Sequence, residues 1–143
     1  MRCHLLLVII ACCPALGFAA DFSGVWTKDL RTAAEIKNKA ECGNARFELK
    51  QTRDQITGSH SFATVGCGRL NEGGEGTVRG VVVGGVAVLT VISGRNGAVV
   101  IGKAKRKGDV LHWQYLDEMK PGEPEGDAPL ILNTTTLRFE KKP

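Results

Sequence analysis

The stretch DFSGVWTKDLRT, residues 21–32, decides how this chain is read. Its first half, about 22–27, has strand composition, with aromatic and β-branched residues set around one glycine. Its end runs into Thr32-Ala33-Ala34-Glu35, a capping box. There the Thr side chain and the Glu three residues on each satisfy an orphan N–H of a starting helix. With Gly43 as a stop, a helix is predicted at about 33–40. Its apolar side is thin (Ala33, Ile36, Ala40), so it contributes little to a core.

What precedes this stretch reads as a leader. Met1-Arg2-Cys3-His4 is basic, residues 5–11 are apolar, and Gly17-Phe18-Ala19-Ala20 offers small residues for cleavage. That is the pattern of a secretory signal over 1–20, too short to span a bilayer, and it leaves one domain over 21–143. Ile9-Ile10-Ala11-Cys12 gives a second reading, a lipoprotein anchored at Cys12. Export predicts a secreted or periplasmic protein. The apolar run at 78–92 carries Arg79 and three glycines, which suits two strands joined at Gly84-Gly85 and no membrane segment.

Behind the helix, runs of Val, Ile, Thr and aromatics alternate with glycine-containing turns, the pattern of an all-β sandwich or barrel. Eight strands are predicted, at about 22–27, 45–51, 55–62, 76–83, 86–92, 97–105, 109–117 and 130–140. Short connectors at 52–54, 84–85, 95–97 and 107–108 imply an antiparallel meander. Eight such strands close into an up-and-down barrel without edges. Period-two faces agree: Phe47, Leu49 and Gln51; Ile56, Gly58, His60 and Phe62; Leu111, Trp113 and Tyr115. Strands four and five are apolar on both faces, and their inward side stays open.

In a meander, alternate connections share an end. One end holds only tight turns. The other carries the helix as a lid and loops at 65–75 and 117–129. Cys42 and Cys67 both fall at this loop end. They are the two cysteines left once the leader is removed, and in an exported domain they read as a disulfide. It would close a loop of about 25 residues, worth about 3–4 kcal/mol by chain entropy. Binding residues favour long loops on a rigid scaffold, so the candidate rim is Arg69, Asp117, Glu118, Glu123, Glu125 and Asp127. The candidate pocket inside the barrel is Trp26, Phe47, His60, Phe62, Trp113 and Tyr115.

No catalytic set is found. The chain has 3 His residues, with His60 and His112 beyond the leader and no metal-ligand spacing. It also lacks a serine elbow and a phosphate-binding loop. The sequence therefore predicts a non-enzyme without cofactor or metal. Lys and Arg number 19 and Asp and Glu 15, a balance that selects no partner. The basic tract at 103–107 is short and has no interleaved aromatics, which argues against nucleic acid and for a solvated face or an anionic envelope surface. Asn133-Thr134-Thr135 matches a glycosylation acceptor. Oligomeric state is not legible.

Phe22-Ser23-Gly24-Val25-Trp26 resembles the Gly-x-Trp first strand of calycin barrels, the lipocalin and avidin group. The resemblance implies a Trp26 at the closed end, packed under Arg138 from the last strand; such a stack is cation–π in nature. Ile56-Thr57-Gly58-Ser59 is similar to the third avidin strand. The biotin residues do not carry over. Lys28 and Thr32 stand where that family has Asn and Ser, His60 where it has Tyr, and Phe62 where it has Ser. Size and disulfide count also resemble exported bacterial inhibitors of lysozymes and proteases. Ser93-Gly94-Arg95 is similar to a Ser-Gly-Arg motif of one lysozyme-inhibitor family, without the aromatic that should follow. Two functions are expected: a protein-binding module (inhibitor, immunity or envelope interaction) acting through the rim or, alternatively, a carrier of a small apolar or amphipathic ligand.

Overall fold

The computed structural model describes residues 20–125 and 134–141. The predicted leader with Cys12, the rim residue Asp127 and the acceptor Asn133 lie outside the described residues. The elements are β1 (Gly24–Asp29), α1 (Ala33–Lys37), β2 (Cys42–Thr52), β3 (Gln55–Val65), β4 (Leu70–Val83), β5 (Val86–Ile92), β6 (Val99–Lys107), β7 (Val110–Lys120) and β8 (Thr135–Phe139). The strands form a closed antiparallel barrel in sequence order. Its seam joins β1 to β8 through Trp26↔Phe139 and Thr27↔Arg138.

Local chemistry accounts for the elements. Thr32 Oγ1 accepts from the Glu35 N–H, and the Glu35 carboxylate accepts from the Thr32 N–H, so the capping box forms. The helix ends by Lys37 and buries none of its residues. The β4–β5 hairpin turns on Gly84 and Gly85, both at positive φ, the geometry of a two-residue turn between twisted strands.

The predicted 65–75 loop shrinks to a turn, because β4 begins at Leu70 rather than near 76. Thr64 N–H donates to the Arg69 carbonyl and Arg69 N–H to Thr64 Oγ1, which starts the pairing early. The glycines at 73, 74 and 76 belong to a bulge. The step from Gly58 to His60 on β3 faces the longer step from Gly73 to Val78 on β4, and Gly76 takes the positive φ there. A bulge bends the wall and displaces side chains from the ladder.

The barrel is filled by its own side chains. Trp26, Phe47, Ile56, Leu89, Leu111, Val100 and Leu137 are fully buried in one cluster. Strands β4 and β5, ambiguous in sequence, send Val78, Val82, Ala87, Leu89 and Val91 inward. Trp113 meets Phe47 edge to face at 5.4 Å and lies against Gly102, where any Cβ would overlap the indole. Such interlocking is what interior packing density demands.

Candidate functional site

Of the six candidate pocket residues, Trp26, Phe47, His60, Phe62 and Trp113 are buried, none more than 6% exposed. Tyr115 is half-buried and packs against the same cluster. The structure brings all six to the inner face, where the aromatic rings occupy the interior.

The tight-turn end is closed around Trp26. Its Nε1–H donates to the Phe22 carbonyl at 2.9 Å, and Phe139 meets its ring at 5.1 Å. Gly24 sits at φ +125°, and a Cβ there would overlap Phe139. The cation over Trp26 is Arg106, whose guanidinium carbon lies 5.1 Å from the ring centroid and 5.8 Å from that of Phe139. Arg138 does not take this position. It neighbours the inward Leu137 on β8, so strand alternation turns it to the exposed outer face. Arg106 also donates to the carbonyls of Gly108 and Asp21, tying the segment before β1 to the barrel floor.

Toward the other end, the inner face becomes polar. His60, Asn71 and Ser93 are the buried polar side chains among the described residues. Asn71 Oδ1 accepts from the Gly94 N–H at 2.9 Å, which fixes the amide's orientation. His60 Nε2, 3.2 Å from the same oxygen, therefore carries the proton and donates. His60 Nδ1 is then an acceptor, 3.2 Å from Thr77 Oγ1, and the single Thr77 hydroxyl proton is shared between this nitrogen and the Gly74 carbonyl across the bulge. Burial pushes the imidazole below its ordinary range, and the Asn71 hydrogen bond only partly opposes this. Asn71 Nδ2 is buried without a hydrogen-bond partner.

The loop end is stapled. Cys42 and Cys67 form a disulfide with Cα atoms 5.3 Å apart, and Gly66 N–H donates to the Glu41 carbonyl beside it. Across the mouth, Glu123 N–H donates to the Asn96 carbonyl at 2.8 Å. Asn96 Nδ2 donates to the Pro124 carbonyl. Ser93-Gly94-Arg95 belongs to this scaffold: Ser93 Oγ accepts from the Arg95 and Asn96 N–H groups, and Gly94 lies against the Glu72 backbone. Arg31 pairs with Asp29 at 2.7 Å and holds its carboxyl down to about 2. The rim residues Arg69, Asp117, Glu118, Glu123 and Glu125 are all exposed at this end. Exposed apolar side chains at this end include Leu70 (45% exposed), Leu116 (46%) and Met119 (62%).

On the outer wall, the bulge opens a groove of about 470 Å³ lined by Arg46, Glu48, Glu72 and Glu75, with Arg46 paired to Glu48 at 3.3 Å. Among the described residues, no group of three or more His, Cys, Asp or Glu is placed to hold a metal ion. No helix there is long and apolar enough to cross a membrane.

Comparison with known protein families, with curated proteins and with solved structures returns no match. The molecule is thus described by its architecture, an eight-stranded antiparallel β-barrel with one disulfide. Sequence reasoning missed Asn71, took Ser93 only as part of a Ser-Gly-Arg turn and took Arg106 only as part of a basic tract. For Arg106 the signal was present: alternation from Ala104 sends it inward.

Proposed function

We propose that the protein is an exported, non-catalytic β-barrel of the calycin type that binds a protein partner through its disulfide-stapled loop end. One contrast carries this reading. The inner face is occupied by buried aromatics, whereas Leu70 and Met119 stand exposed among the carboxylates of the rim. Exposed apolar side chains ringed by charge are the anatomy of a protein interface. The disulfide supports an oxidising compartment, outside the cell or in a periplasm.

A carrier of a small ligand is the second reading. The unpartnered amide of Asn71 favours it, since a buried donor without an acceptor calls for one.

Photo-crosslinkers placed at Leu70 and Met119, with the protein expressed in its own host, separate the two. A discrete protein adduct that disappears when Asp117 and Glu118 are changed to Lys, and survives Phe62→Leu, supports the rim. No adduct, or loss through Phe62→Leu alone, overturns it.

A further inference from the structure

We propose that the outer wall of β4–β6, with the β4–β5 turn as its leading edge, docks on an anionic lipid bilayer. The surface lies outside the binding rim proposed above. The Gly84-Gly85 turn is at the opposite end of the barrel.

Strand register builds the surface row by row. Val83 pairs with Val86 and Val86 with Lys105; Val81 pairs with Val88 and Val88 with Lys103; Arg79 pairs with Thr90 and Thr90 with Ile101. Antiparallel partners project to the same side. The inward alternates Val78, Val82, Ala87, Leu89, Val100 and Ala104 are buried, so these rows face outward. Val81 is 47% exposed and Val83 64%.

Composition selects the occupant. The run 80–90, GVVVGGVAVLT, holds no charged side chain. Within β4–β6 the charged groups in its rows are Arg79, Lys103 and Lys105, with Lys107 just beyond; a carboxylate enters only past the edge of this wall, where Ile101 pairs with Asp117 of β7. Two copies packed wall to wall would bring like charges together without counter-ions, which opposes a second copy. A specific protein epitope would need anchoring groups, but the leading edge is valine and bare glycine turn. An apolar edge flanked by cations matches the interfacial region of a bilayer carrying diffuse negative charge. Docked this way, the loop rim points away from the membrane.

The test uses the protein with its disulfide intact and co-sedimentation with two vesicle types, phosphatidylcholine alone and phosphatidylcholine with phosphatidylglycerol in equal parts. Binding is expected only to the anionic vesicles, and weaker at high salt. Lys103→Gln with Lys105→Gln should weaken it about thirtyfold, at the usual contribution of a surface cation. Val83→Asp, at an exposed position, should weaken it about tenfold or more, while Lys37→Gln, which removes an exposed cation of α1 at the loop end, leaves it unchanged. Near-ultraviolet circular dichroism confirms that each variant is folded. Equal binding to both vesicle types, no binding, or wild-type binding by the folded wall variants overturns the proposal. A dimer in sedimentation equilibrium that Val83→Asp dissolves also overturns it, because a second copy then covers the wall.

Discussion

The Arg106 guanidinium lies 5.1 Å from the centre of the Trp26 indole, and the pair closes one end of the barrel. A cation over an indole contributes about 0.5–2 kcal/mol, and Arg106 adds hydrogen bonds to Gly108 and Asp21. Replacing Arg106 by Ala is expected to cost about 1–3 kcal/mol in urea unfolding. Arg138→Ala, on the exposed outer face, should stay within about 0.5 kcal/mol. Reversal of that order would remove Arg106 from the closure.

The filled interior makes Gly102 intolerant of a side chain. Gly102→Ala drives a methyl into the Trp113 ring, an overpacking expected to cost about 1–3 kcal/mol. The near-ultraviolet dichroism of Trp113 should change with it. An unaltered spectrum and unfolding midpoint would mean that the indole has free space around it.

His60 makes stability depend on pH. Burial lowers its folded-state pKa, so the unfolded chain binds the proton more readily. The contribution is fully present above the unfolded value near 6.5 and is lost as pH falls toward the folded value. Urea midpoints should fall between neutral and mildly acidic pH, and less so in His60→Gln. Asn71→Asp places a carboxylate beside the imidazole and should raise the His60 pKa, read by NMR titration. A His60 titration at or above the ordinary imidazole value in the wild type would contradict the buried network.

The disulfide joins positions 25 residues apart. Removing it by changing Cys42 and Cys67 to Ser should cost about 3–4 kcal/mol. It should also raise hydrogen exchange at the loop end more than at the Trp26 floor. Uniform loss of protection would show that the staple acts on the whole barrel.

Much of this fold is legible from local rules. The capping box of Thr32 and Glu35, the Gly84-Gly85 turn and the meander are encoded within a few residues. The Cys42–Cys67 bridge is read from the cysteine count, and the meander's alternate ends agree with it by placing both cysteines at one end. The start of β4 was hidden because Gly73, Gly74 and Gly76 have loop composition, and only the facing β3 strand makes them a bulge. That error concealed Asn71, an inward residue in a segment read as loop. Arg106 was hidden inside a basic tract at 103–107 that reads as solvated, although period-two alternation turns one of its members inward. The placement of Arg138 failed because the resemblance named a strand, whereas the cation comes from β6.

The most direct measurement is native mass spectrometry of the protein isolated from its own host. A filled barrel that works through its rim should give the mass of the oxidised chain with no small molecule retained, and export as proposed should give that mass without residues 1–20. A reproducible added mass, released on unfolding and lost in Tyr115→Ala, would move the site into the barrel and make the protein a ligand carrier.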